Sequence, residues 1–198
     1  MNTFNNQIYH DIIDCMAAAL DAKDIYTAGH STRVADTSYA LGQCLGLNND
    51  ELELLHMAAH LHDIGKIGIP DNILNKNGSL TSEEFNIIKQ HPKIGYDILS
   101  NSKSLLPIAE IVLHHHEKYN GTGYPDSLKG NSIPYNSRII SICDSIDAML
   151  INRPYRNSLT IDYCKKEIIL NKNIMYDPFI VDVLIANWKN IIEDYYLQ

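Results

Sequence analysis

"NNDELELLHMAAHLHD", residues 48–63, decides the fold class. Asn48 and Asn49 can accept the N–H groups that a first helical turn leaves unpaired. Asp50 and Glu51 then place negative charge where the helix dipole favours it. The stretch predicts a helix that ends on an adjacent His62-Asp63 pair. Helical periodicity extends outward from it in both directions. Ile8, Ile12, Met16 and Leu20 recur every fourth residue and predict one apolar stripe on the first helix. Val34, Leu41 and Leu45 do the same for a second, which should end near Gly46. Thr81 and Glu84 fit a capping box for a helix through Phe85 and Ile88, and Pro92 should interrupt it. Pro107 suits the first turn of a helix running through Ile111 to the histidines at 114–116. Further helices are expected near 134–151, 158–171 and 178–195, the last opened by Asp177-Pro178 as cap and first turn. No alternating strand pattern, repeat or low-complexity linker interrupts this order, and turn residues concentrate in 64–80 and 119–134. The expectation is an all-α bundle of about seven to nine helices, read as one domain over 1–198.

Bulk properties narrow the function. The 198 residues carry a net charge of −8, with 45% hydrophobic and 20% charged side chains. A chain of this size can bury a real core. Its acidity argues against broad electrostatic binding of DNA, RNA or an anionic membrane. A small anionic substrate is compatible, provided metals and a few cations are placed locally. Cys15, Cys44, Cys143 and Cys164 form no CxxC pair, and are expected to be reduced, mostly buried small hydrophobes. Residues 1–14, "MNTFNNQIYHDIID", lack the basic region and apolar run of a secretory signal. No apolar run approaches the ~18–20 residues that span a bilayer, so no membrane insertion is expected and the expected location is the cytoplasm.

The chemistry concentrates in His30, His62-Asp63, His91, His114-His115-His116 and Asp144, each near a predicted helix end or on a helix face. The informative stretch is "HLHDIGKIGIP", residues 60–70. Neighbouring side chains on a helix diverge by ~100°. His62 and Asp63 would therefore converge only on something large between them, which leaves a metal ion and an ordinary ion pair equally open.

Six blocks in one order go further: "AKDIYTAGHSTRVA" (22–35), "LHDIGKIGIPDNIL" (61–74), "LTSEEFNIIKQHPKIG" (80–95), "HHEKYNGTGYPDSLKG" (115–130), "RIISICDSIDAM" (138–149) and "RPYR" (153–156). Together they resemble the HD-GYP domain, a subgroup of the HD-domain phosphohydrolases, over residues 22–156. Helices across 158–195 would complete the bundle. Members of that family are all-helical bacterial phosphodiesterases of second-messenger signalling that bind two or three metal ions and hydrolyse cyclic di-GMP. The resemblance implies metal ligands at His30, His62, Asp63, His91, His115, His116 and Asp144, with Asp63 bridging a binuclear site. Seven N/O ligands suit two divalent ions, iron or manganese first, with zinc, nickel and cobalt compatible. Because the two histidines directly before the glutamate are the family's ligands, the resemblance selects His115 and His116. His114 is then read as solvated or as a neighbour of a ligand, and Glu117 as a carboxylate orienting an imidazole. The Gly121–Pro125 turn, with Gly123, Tyr124 and Pro125 as its GYP triplet, would fix the loop beside the site.

The implied reaction is hydrolysis of cyclic di-GMP to linear pGpG by a metal-bridging hydroxide, with a second cut to GMP left open. Asp63 and Lys66 would be catalytic. Lys66, with Arg153 and Arg156, would hold phosphate or a guanine edge. A contact with a diguanylate cyclase domain through the GYP loop is a further candidate. Two rivals are a weakly catalytic cyclic di-GMP sensor and an HD hydrolase of another cyclic dinucleotide such as cyclic GMP-AMP. Family members with three metals carry a glutamate where this chain has Tyr26, a poor ligand near neutral pH, so two ions are expected. Other residues take plainer readings: His56–His60 as a pair at a metal-compatible spacing that does not ligate, Asp147 as hydrogen-bonding support, His10 as an exposed helix residue. Metal and activity should be lost as pH falls through about 6, near the imidazole reference of ~6.5.

Overall fold

The structure is a computed structural model that describes residues 3–24, 29–152 and 158–197. Within 3–24 the described side chains are those of 8, 11–13, 15–20 and 22–24. The described residues form helices joined by turns, with an isolated bridge between Lys172 and Tyr176 and no strand. In chain order the helices are α1 (Thr3–Lys23), α2 (His30–Cys44), α3 (Asn49–Leu61), α4 (Asp71–Leu74), α5 (Ser82–Ile88), α6 (His91–Leu99), α7 (Leu106–Leu113), α8 (Tyr135–Leu150), α9 (Ile161–Leu170), α10 (Pro178–Ala186) and α11 (Asp194–Tyr196). A 3-10 turn, Ile64–Gly68, follows α3, and a π-helical turn, Lys189–Glu193, precedes α11. The all-α expectation is borne out; the helices beyond seven to nine are short pieces such as α4 and α11.

The expected start and stop signals act as local chemistry requires. Asn48 accepts from the backbone N–H of Asp50 and Glu51, and the Glu51 carboxylate accepts from the Asn48 N–H. Thr81 and Glu84 close the same reciprocal box on α5. Pro92 falls in the first turn of α6, so the chain breaks between Ile88 and His91 and starts again. Asp177 caps α10, accepting from the N–H groups of Phe179 and Ile180.

Three expectations are corrected. On α1 the buried residues are Ile13, Ala17 and Leu20, while Ile8 and Ile12 face outward. A strict i, i+4 series advances ~400° per step and so winds ~40° around the helix each time, so Leu20 is buried, Met16 packs half-buried against the core, and the earlier members turn away from it. Cys143 and Cys164 are buried, but Cys15 and Cys44 are exposed. Cys15 lies on the α1 face opposite Ile13 and Ala17, and Cys44 on the last turn of α2. The helix expected over 178–195 is broken at Asn187 and continues as a π-turn.

The core lies where α2 and α3 pack on each other and where α8 crosses α2. Val34, Leu41, Leu55, Ala58, Ile139, Ile140, Ile146 and Leu184 are fully enclosed there. Each large aliphatic side chain of this kind contributes about 1.5–3 kcal/mol on burial. The buried stripe of α8, Ile139, Ile140, Cys143 and Ile146, recurs at helical spacing and continues into Asp147. Packing this stripe therefore aims the end of α8, with Asp144 and Asp147, at the start of α2 and its His30.

The 3-10 turn after α3 is pressed against α6. A Cβ on Gly65 would lie 1.8 Å from the His91 carbonyl oxygen and 2.5 Å from the Gly95 nitrogen. Only glycine lets the two backbones meet this closely, and the meeting brings His91 over Asp63.

Candidate metal centre

The His-Asp pair ends α3. His62 still has helical angles, but Asp63, at φ −96° and ψ 4°, has left the helix. The ~100° divergence expected of helical neighbours is thereby undone. His62 Nε2 lies 3.5 Å from Asp63 Oδ2.

The seven side chains named from the sequence come together in two groups. Asp63, His91, His115 and His116 form one; His30, His62 and Asp144 form the other. Within each group the candidate ligand atoms lie within 4.8 Å of one another. Asp63 faces both: its Oδ1 is 3.2 Å from His91 Nε2, and its Oδ2 is 3.8 Å from His30 Nε2. His30 Nε2 also lies 3.3 Å from Asp144 Oδ1.

One device repeats in three of the histidines. His62, His91 and His115 each donate from Nδ1 to the carbonyl three residues earlier, on Ala59, Ile88 and Val112, at 2.7, 2.8 and 2.6 Å. That contact assigns the proton to Nδ1 and leaves a lone pair on Nε2. His62 Nε2 is fully buried with no hydrogen-bond partner, a costly arrangement for a polar atom. His91 Nε2 and His115 Nε2 face each other at 3.3 Å, which sets one lone pair against another. A divalent cation resolves both anomalies, and the imidazole-carboxylate donor set fits such an ion.

Around these atoms lie groups the sequence reading missed. Asp24, at the end of α1, and Asp63 grip the Lys66 ammonium at 3.1 and 2.7 Å. Lys66 is thus a mostly buried partner of Asp63. Tyr124, which the sequence reading did name on the loop beside the site, leans on His116, ring centroids 4.9 Å apart at 32°. Arg33 and Tyr196 both donate to Asp147. Arg33 was legible in principle, three residues after His30 on one helix face; Asp24 and Tyr196 carry no spacing signal.

Asp147 behaves as expected, accepting from His30 Nδ1 at 2.6 Å. His114 does not: it is buried, with Nδ1 on the Glu110 carbonyl at 2.9 Å and Nε2 on Asp126 at 3.0 Å. Glu117 accepts from the Asp126 N–H at 2.7 Å instead of orienting an imidazole. Both side chains brace the 117–126 loop. Gly123 completes that brace, since a Cβ there would lie 2.3 Å from the Lys118 nitrogen. His56 and His60 meet edge to face, with centroids 4.6 Å apart, outside both groups. Tyr26, Arg153, Arg156 and the His10 side chain lie outside the described residues.

A family model described as HD domain matches residues 14–180. The chain belongs to the HD-domain family. This HD-domain chain is similar to the cyclic di-GMP phosphodiesterase response regulator RpfG of Xanthomonas campestris pv. campestris, 40% identical over 172 residues that cover 86% of this chain and 46% of that protein. It is also similar to a cyclic di-GMP phosphodiesterase of Thermotoga maritima, 40% identical over 187 residues, 93% of this chain and 51% of that one. The chain spans about half the length of these curated relatives. Among solved structures it resembles the cyclic GMP-AMP specific phosphodiesterase V-cGAP3 of Vibrio cholerae, with a TM-score of 0.68 at 19% identity, covering 93% of this chain and 50% of that one. At that identity the likeness shows the fold.

The HD-domain site treats its histidines unequally. Burial pulls His30 down, but hydrogen bonds to Asp144 and Asp147 outweigh it and raise its pKa to about 9. Burial, then the neighbouring His91, pushes His116 down to about 3. Burial and then His116 hold His115 well below the ordinary imidazole range. Burial works to raise the Asp63 carboxyl, yet Lys66, His62 and His91 keep it well below the usual carboxylate range. The sign follows for metal loading. Below about pH 9 the metal-free His30 holds a proton that an ion must displace, so affinity at the His30 group should fall about tenfold per pH unit. His115 and His116 are already neutral, so an ion beside them competes with no proton on either ring. Manganese titrations between pH 6 and 9 should resolve one pH-dependent and one flatter binding event, in place of the common loss near pH 6 expected from ordinary imidazoles. Two equally steep events would refute this.

Proposed function

We propose that this HD-domain chain is a metal-dependent phosphodiesterase that hydrolyses cyclic di-GMP to linear pGpG. The observation that carries the reading is the Asp63 carboxylate, with one oxygen turned to His91 and the other to His30 and His62. It supports a binuclear centre. One ion would be held by His91, His115, His116 and Asp63, the other by His30, His62, Asp144 and Asp63, with iron or manganese the best matches to the donors. Bound divalent ions would supply Lewis-acid chemistry, acidifying water and neutralising charge that builds on a phosphoryl oxygen.

The chain's own groups do the rest. Asp63 and Asp24 use two of the three Lys66 N–H donors and leave one for a non-bridging phosphate oxygen. The Nδ1 contacts hold the imidazoles in one tautomer and one orientation. Tyr124 closes the His116 side. Arg153 and Arg156 complete the reading as phosphate or guanine contacts. Thr122 and Pro125–Ser127 are exposed on the GYP loop, which suits the candidate contact with a diguanylate cyclase domain. No described helix is long and apolar enough to cross a membrane, and the cytoplasm, where cyclic dinucleotides are made, is the proposed location.

The test is to load the purified protein with manganese, or with ferrous iron without oxygen, count the ions, and offer cyclic di-GMP, cyclic GMP-AMP and a mononucleotide. Two ions and release of pGpG from cyclic di-GMP are expected. Faster cleavage of cyclic GMP-AMP would move the substrate. Tight cyclic di-GMP binding by the two-metal protein without turnover would replace the enzyme with a sensor.

A further inference from the structure

His30 is fixed differently from His62, His91 and His115. It is the first residue of α2. It takes a side-chain carboxylate instead, Asp147 Oδ2 at 2.6 Å from Nδ1. A backbone carbonyl is held by its helix, whereas a carboxylate on a rotatable stem must itself be held.

Three donors do this. Arg33 Nε donates to Oδ1 at 2.6 Å and its Nη2 to Oδ2 at 3.1 Å. Tyr196 Oη donates to Oδ1 at 2.9 Å. Arg33 sits on α2 with His30 and moves with it. Tyr196 comes from the opposite end of the chain. Its neighbour Tyr195 donates to Asp36 of α2 at 2.7 Å, so the last turn is pinned to α2 and α8 together. The π-turn over Lys189–Glu193 sets this up. A π-turn takes up about one extra residue and so rotates the following turn by ~100° relative to an unbroken α-helix. Ile191 and Ile192 stay in the core while the two phenols reach the carboxylates. Burial, then Asp147, keeps the Tyr196 proton on well above the ordinary phenol range, as a donor requires.

We propose that Tyr196 is a positioning residue for the His30 half of the metal centre, acting through Asp147. The inference rests on the two-ion reading above, and its test separates the two. Manganese affinity would be measured in competition with a chelator for the wild type, Asp147→Asn, Tyr196→Phe and the double variant. His30→Ala would mark which binding event belongs to which group. Asp147→Asn should weaken the His30-group ion by roughly 10–100-fold. Tyr196→Phe, one contact further out, should weaken the same ion by roughly 3–10-fold, leave the other ion unchanged, and add nothing in the Asp147→Asn background.

Wild-type binding of both ions by Tyr196→Phe, beside a loss in Asp147→Asn, would overturn the proposal and leave the two-ion centre standing. So would equal weakening of both ions with a lower Tm, the mark of general loosening. A wild type that binds no metal would overturn both readings at once.

Discussion

Asp63→Ala is expected to abolish metal-dependent turnover of cyclic di-GMP, at least about a thousandfold in kcat/KM or ~4 kcal/mol of transition-state stabilisation. The reason is geometric. The two oxygens of the Asp63 carboxylate look into both histidine groups, at 3.2 Å from His91 and 3.8 Å from His30. Removing it leaves each group short of an anionic donor and unlinks the two. The fold should survive, because the exposed half of the problem is small: the Lys66 ammonium keeps Asp24 at 3.1 Å and is not left as an unpaired buried charge. Ion counting, a pGpG assay and circular dichroism on one preparation check the three parts. Normal turnover in Asp63→Ala would mean that the catalytic site lies elsewhere.

Gly65→Ala should be damaging although it adds one methyl group and touches no ligand. The new Cβ would lie 1.8 Å from the His91 carbonyl oxygen, 2.5 Å from the Gly95 nitrogen and 2.8 Å from the His91 carbonyl carbon. All three are backbone atoms, so no side chain can rotate away. The 3-10 turn and α6 must separate, and His91 withdraws from Asp63. Overpacking of this kind costs at least about 3 kcal/mol here, the upper part of its usual range. Loss of the ion proposed for His91, His115 and His116 should accompany it. A shift in urea midpoint and the ion count test the pair. A variant as stable as the wild type, with both ions bound, would show that the turn can move freely.

Much of the helical scaffold was open to local reasoning. Asn48, Thr81 and Asp177 cap where their side chains allow, and Pro92 and Pro107 fall in first turns, because these effects reach only three or four residues. Local reasoning failed where a helix face had to be chosen by its neighbours. Ile8 and Ile12 point outward because α1 meets the bundle along Ile13, Ala17 and Leu20. The 178–195 helix breaks because no spacing rule announces a π-turn.

By itself the sequence determined the all-helical class and several helix ends, which residue types and short spacings encode, while the resemblance to the HD-GYP family named the seven side chains that gather at the site. The tertiary structure alone decided how those side chains meet. It turned Asp63 out of α3 to face two groups, and folded Lys66 back onto Asp63 and Asp24. It took His114 and Glu117 away from the metal groups to brace a loop. It also brought Tyr196 to Asp147 across 49 positions of chain. Contacts of that kind arise when separate helices bury their apolar faces together, and no periodicity within one helix records which polar tips the packing will bring into reach.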